Sequence, residues 1–189
     1  MPMSEHFREL ADYNCWANRR LYADAASLSP ADWQRHVGIF FGSLHGTLNH
    51  LLLADRIWMR RLTGIGEHPD RLDAILYDDP AELALAREAE DARILGFTDG
   101  LDETALEDAI AYTTTAGRPH RQKRSDILAH LFNHQTHHRG QAHAALTILG
   151  ISEPAPLDLL VRQRERAERA RTMPAPDQNV RSPDERPMR

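Results

Sequence analysis

SDILAHLFNHQTHHRGQAHAALTILG, residues Ser125–Gly150, is the stretch on which the reading of this chain turns. Leu128, Leu131, Phe132, Ala142, Leu146 and Leu149 recur at spacings that a 3.6-residue period gathers onto one face, which predicts a long helix. Ser125 and Asp126 stand where an N-cap is expected, and Gly150 where the helix would close. The same stretch holds five of the protein's eleven histidines, at 130, 134, 137, 138 and 143.

Working outward, three more helices are expected. Phe7, Leu10, Tyr13, Ala17, Leu21 and Ala25 write one from about Ser4, its plausible N-cap, to Leu28. Ser29-Pro30-Ala31-Asp32 then stops the chain and offers a short capped turn, because proline suits a first turn and not an interior. A second helix runs from Gly42 or Ser43 to Leu62 on Leu44, Leu48, Leu51, Leu52, Met59 and Leu62, closed by the glycines at 64 and 66. A third opens at Asp78-Asp79-Pro80 and continues to about Gly96. Between Leu106 and Lys123 the helical period vanishes, and Tyr112-Thr113-Thr114-Thr115 followed by Ala116-Gly117-Arg118-Pro119 suggests a small hairpin or an extended crossover.

The expected fold is therefore an all-α four-helix bundle over residues 1–151, with that hairpin or crossover before the fourth helix. A short C-terminal helix at 152–171 and a disordered tail at 172–189, rich in proline, arginine and aspartate, complete it.

Composition narrows the function. With 41% apolar and 27% charged residues the chain reads as globular, and its net charge of −5 gives no electrostatic pull toward nucleic acid. The one basic cluster, Arg118 to Arg124, is short and has no aromatic residue for base stacking. No apolar run is long enough to cross a bilayer, since Leu51-Leu52-Leu53-Ala54 is cut by Asp55 and Arg56. The opening MPMSEHFREL lacks a signal-peptide core, so a cytoplasmic location is expected. A single cysteine, Cys15, rules out an internal disulfide and any cysteine-based metal cluster, and it reads as a small core residue. A metal would have to be held by nitrogen or oxygen.

His134 and His138, four apart, leave the same helix face and can grip one ion. His130 and His137 have competing spacings. At roughly 100° per residue, His138 and His134 lie about 60° and 100° from the apolar stripe, against about 140° and 160° for His130 and His137, so the 134/138 pair is nearest the interior. A third ligand from another helix is best supplied by His50, mid-helix among leucines, with His45 as the alternative near that helix's start. On the wheel His50 shares its side with Ala54 and Ile57 and faces a groove rather than the core centre. Asp55 falls on the apolar stripe, where a charge needs a partner, either an imidazole or an arginine. His36, His68 and His120 fall in loops. The HExxH pattern of zinc proteases is absent.

Two segments, Leu48-Asn49-His50-Leu51-Leu52-Leu53-Ala54-Asp55-Arg56-Ile57-Trp58 and His134-Gln135-Thr136-His137-His138-Arg139-Gly140-Gln141, together resemble the DinB family. Tyr13, Trp16, Ala17 and Asn18 resemble that family's opening pattern, and the likeness spans about Phe7 to Gly150. What the resemblance implies is a homodimeric four-helix bundle binding one nickel, zinc or similar ion, here through His50, His134 and His138. Its members and relatives include thiol-cofactor-dependent transferases and isomerases.

The leading expectation is thus an enzyme in which a three-histidine ion activates water or a low-molecular-weight thiol toward a small electrophile. Arg139 and Gln141 either orient substrate, support the ligands or merely pack, and no catalytic residue is named. The competing reading is a non-enzymatic metal-binding or stress-response protein whose ion pins two helices together.

Overall fold

The computed structural model describes residues 1–67, 69 and 71–172. The chain divides into two compact units, Met1–Leu157 and a second that begins at Asp158. The first unit contains α1 (Met3–Ala25), α2 (Pro30–Gln34), α3 (Leu44–Thr63), α4 (Pro80–Asp99), α5 (Glu103–Glu107), β1 (Ala109–Thr113), β2 (Pro119–Lys123) and α6 (Arg124–Ile148). The second is described through α7 (Leu159–Thr172). The expected tail at 172–189 lies outside the described residues apart from Thr172, which ends α7.

Local chemistry sets most boundaries. Ser29 Oγ accepts from Asp32 N at 3.1 Å to start α2, and Ser43 Oγ accepts from Gly46 N at 3.0 Å to start α3. Gly64, at φ 75°, supplies the left-handed residue that ends α3. Asp79 caps α4 by accepting from Ala81 N and Glu82 N at 2.8 and 2.9 Å, with Pro80 in the first turn. β1 and β2 form an antiparallel hairpin from Ala109↔Lys123 to Thr113↔Pro119, turned at Gly117 with φ 77°.

Several expectations need correction. Ser4 does not cap α1: the N-cap is Pro2, and Ser4 is buried with its N–H donated to Glu103 Oε1 at 2.8 Å. Ser125 and Asp126 do not cap the fourth long helix, which starts at Arg124 from an extended Lys123; Asp126 lies in its first turn, where a carboxylate suits the dipole. α1 stops at Ala25 rather than Leu28, and α4 continues to Asp99. The short α5, capped by Asp102 accepting from Ala105 N at 2.7 Å, was not foreseen, because one turn shows no period.

The principal packing pairs are α1 with α4, α3 with α6, α1 with α6 and α3 with α4, which closes a ring of four long helices. Two apolar clusters fill it. One joins Leu21 and Tyr22 of α1, Leu44, Leu48, Leu51 and Leu52 of α3, Leu83 of α4 and Leu146 of α6. The other joins Phe7 and Ala11 of α1, Met59 and Leu62 of α3, Ile94 of α4 and Leu128, Leu131 and Phe132 of α6. Each fully buried leucine among them contributes roughly 1.5–3 kcal/mol. The order of the clusters along each helix shows that α1 and α6 run one way and α3 and α4 the other. The chain must therefore return the length of the bundle between α3 and α4. It does so from Gly66, whose carbonyl accepts from Arg60 at 2.9 Å, to Leu76 and Tyr77, whose N–H groups are held by Asn49 Oδ1 at 2.8 and 3.0 Å. Within this connection Leu72 O lies 2.8 Å from His50 Nδ1 on α3.

Between the two apolar clusters lies a buried polar belt to which every long helix contributes. Arg87 of α4 pairs with Asp55 of α3 at 2.8 Å and with Asp91 at 3.1 Å. Asp91 accepts from Asn14 and Asn18 of α1 at 3.1 and 2.9 Å. Arg139 of α6 donates to Asn14 and, at 3.3 Å, to Gln135, whose own amide reaches Leu51 O at 3.3 Å. Of the two partners expected for Asp55, an imidazole or an arginine, the structure supplies the arginine.

Candidate metal centre

His50 lies on α3 and His134 and His138 on α6, two helices packed side by side. Each offers one ring nitrogen to a group whose ligand atoms lie within 4.8 Å of one another. His50 and His138 are buried, and His134 is partly so. His45, the alternative, points elsewhere: its Nε2 is 3.0 Å from Tyr77 O and its ring packs on Trp33. His130 packs against Trp58, and His137 is exposed with its Nε2 accepting from Gln141 Nε2 at 3.3 Å. His68 lies outside the described residues.

Outer partners decide which nitrogen of each ring faces inward. Leu72 O, 2.8 Å from His50 Nδ1, can only accept, so that nitrogen carries the proton and Nε2 presents its lone pair. His138 Nδ1 stands 2.8 Å from Gln141 Oε1 and likewise donates, which frees its Nε2. Leu72 thus ties the α3–α4 connection to His50, and Gln141 holds the His138 ring from one turn further along α6. Phe41 covers one side, stacked on His50 with ring centroids 3.8 Å apart and edge-on to His138 at 5.4 Å. Neither Leu72 nor Phe41 carries a sequence signal for this role, because both act through position in the fold.

His50 Nε2 and His134 Nε2 are 3.1 Å apart. Two imidazole lone pairs at that distance repel unless a proton or a cation lies between them. The separation also suits two nitrogens that each lie about 2.0–2.1 Å from a shared ion. The donor set therefore fits a divalent metal. Electrostatics agrees: burial, aided by the His138 ring, pushes the His50 pKa down to about 4 despite the opposing Leu72 hydrogen bond. Burial and the neighbouring His138 and His50 push that of His134 down to about 3. Burial also lowers His138. All three rings are neutral, as ligands must be, near pH 7.

Two of the three, His50 and His134, line a cavity of about 480 Å³ together with Ala54, Ile57, Trp58 and the β1 residue Tyr112. This is the groove toward which the helical wheel turned His50. A second groove of about 510 Å³, between α1 and α6 beside Phe7, Leu10 and Phe132, includes none of the three histidines. Arg139 faces the polar belt, so it packs helices and does not reach the triad. Cys15 is buried, and burial raises its thiol pKa, as befits a small core residue.

The DinB family model matches residues 3–170. "Protein DinB" of Bacillus subtilis (strain 168) is 25% identical over 162 residues, covering 82% of this chain and 92% of the relative. Among solved structures, a DinB-like protein from Bacillus cereus aligns with a TM-score of 0.57 at 18% identity, covering 74% of this chain and 90% of its own; it supports the fold alone.

Proposed function

The chain belongs to the DinB family, and from that membership we propose that His50, His134 and His138 hold one divalent ion, nickel or zinc, in a metal-dependent enzyme. The reaction we assign is the delivery of water or a low-molecular-weight thiol to a small electrophile. The observation that carries this reading is the convergence of three neutral imidazoles, two of which, His50 and His134, line a cavity. When bound, such an ion supplies Lewis acidity toward an incoming water or thiol. The chain's own residues do the rest. Leu72 O and Gln141 Oε1 fix the tautomers of His50 and His138, and Phe41 excludes water from one side. Ala54, Ile57 and Trp58 give the cavity an apolar wall that can exclude competing solvent from a bound electrophile. A homodimer acting in the cytoplasm completes the proposal; among the described residues no helix is long and apolar enough to cross a membrane.

Protein purified without an affinity tag should contain one equivalent of nickel or zinc by elemental analysis. Once cobalt is exchanged in, its visible absorption should shift on adding members of a panel of low-molecular-weight thiols. No spectral change with any of them would sink the transferase reading and leave an ion that only joins α3 to α6.

A further inference from the structure

Among the described residues that line the cavity, one arginine is not used by the proposed chemistry. Arg61, on the last turn of α3, is partly buried, and its guanidinium carbon lies 4.5 Å from the Trp58 ring centroid and 4.8 Å from that of Tyr112. Two aromatic faces thus hold the planar group in place at little further entropic cost. One Nη2–H donates to Thr113 O at 3.2 Å. Among the described residues no carboxylate lies within ion-pair distance of it, and burial pulls its pKa below the ordinary arginine value. A partly buried guanidinium that lines a cavity and has no carboxylate partner among the described residues has the makings of an anion receptor.

We propose that Arg61 is the anchor of a binding subsite for the carboxylate of a small organic monoacid whose apolar body lies along Ile57, Ala54 and Leu72 toward the histidine triad. The balance of charge selects the ligand class. Arg61 is the cation and Asp126 the carboxylate among the described residues that line this cavity. One guanidinium fork can take one carboxylate, and the Asp126 carboxylate on the same lining disfavours a second negative charge, which suits a monoanion. A phosphate dianion calls for several donors or cations. The volume, about 480 Å³, is that of a site for a small molecule. That this acid is the substrate rests on the metal-enzyme reading; that the cavity binds it does not.

The test uses the full-length protein with its metal content measured, and three probes: benzoate, its uncharged isostere benzamide, and inorganic phosphate. Binding is followed by calorimetry and by tryptophan emission, with Trp58→Phe identifying the responding ring. Benzoate should bind at least about tenfold more tightly than benzamide or phosphate, and Arg61→Gln should remove that preference by the same factor. Arg61→Lys, which keeps the charge and loses the fork, should fall between them, and unchanged melting temperatures would show that both variants fold. Benzoate affinity indifferent to Arg61→Gln, or abolished only by His134→Ala, would overturn the subsite, since the acid would then be held elsewhere. Phosphate binding as tight as benzoate would overturn the monoacid assignment. Protein without stoichiometric metal that still discriminates benzoate through Arg61 would overturn the metal reading and keep the subsite.

Discussion

His50 can offer Nε2 to an ion because a carbonyl on a different segment, that of Leu72, accepts a hydrogen bond from its other nitrogen and keeps the proton there. Ligand identity is therefore a property of residues together with what they touch, and single substitutions separate the histidines that converge from those that crowd nearby. Replacing His134 or His138 by alanine should abolish stoichiometric metal in purified protein, while His130→Ala, whose ring packs on Trp58, should retain it; equal losses from all three would contradict the face assignment. Protons compete for the same rings, and the sign is set by burial. The unfolded chain protonates its histidines near pH 6.5, whereas the folded one resists until about 4 at His50 and about 3 at His134. Metal-free protein should thus keep its full stability above about pH 6.5 and lose it steadily as the pH falls toward 4 and 3. Denaturant midpoints measured from pH 7.5 downward should show that slope, and it should be shallower in His134→Ala. Much of this was legible in the sequence, because His134 and His138 are related by helical spacing and His50 stands mid-helix among leucines. Leu72 and Phe41 were not legible. Their contributions are a backbone carbonyl and a stacked ring brought in by loops, and neither follows a period.

Elements were readable where a period or a cap was long enough to show itself, as in α3, where Ser43 and Gly64 mark both ends. Reading failed where a local signal was overridden by a contact distant in sequence. Ser4 looks like a cap but is buried beneath α5, its N–H taken by Glu103, and α5 is a single turn too short to register. The tight turn before α3 shows how an element positions the site. Gly46 lies so close to this turn that an added Cβ would sit 2.3 Å from Phe41 O, and Phe41 is the residue stacked on His50. Gly46→Ala must therefore push the 41–43 backbone away, at a cost of roughly 1–3 kcal/mol as for other overpacked sites. It should also speed metal loss to a chelator. Gly96→Ala, in a helix position where a Cβ meets nothing within 4 Å, is the control and should stabilise by about 0.4–1 kcal/mol. Chemical denaturation and timed chelation would compare the two, and equal behaviour would mean that the turn does not brace the site.

Across the whole molecule, the polar belt divides one apolar cluster from the other and fixes how the four long helices align. Apolar packing tolerates sliding by a turn, since leucines recur on each stripe, but Arg87 can satisfy Asp55 and Asp91 together in one register only. The sequence exposed one member of this belt, Asp55, as a charge on an apolar stripe. Its partners were hidden because Asn14, Asn18, Arg87 and Asp91 lie on other helices, and nothing local distinguishes them from surface residues. Arg87 is the hub. Burial disfavours its charge, yet Asp91 and Asp55 outweigh that and hold its pKa above the ordinary arginine value. Asp55 itself, under burial that Arg87 partly offsets, is pushed up to about 6 and stays mostly ionised near neutrality. Removing the hub leaves two buried carboxylates without their cation, whereas removing Asp55 leaves Arg87 still paired with Asp91. Arg87→Met should accordingly destabilise by about 3–5 kcal/mol, and Asp55→Asn by the smaller cost of a weakened buried contact, about 1–3 kcal/mol. Because Asp55 pairs with Arg87 and not with an imidazole, Asp55→Asn should keep its full complement of metal. Denaturant titration and elemental analysis on the same preparations would check both halves, and an Asp55→Asn protein that folds normally but lacks metal would show that this carboxylate serves the histidines after all.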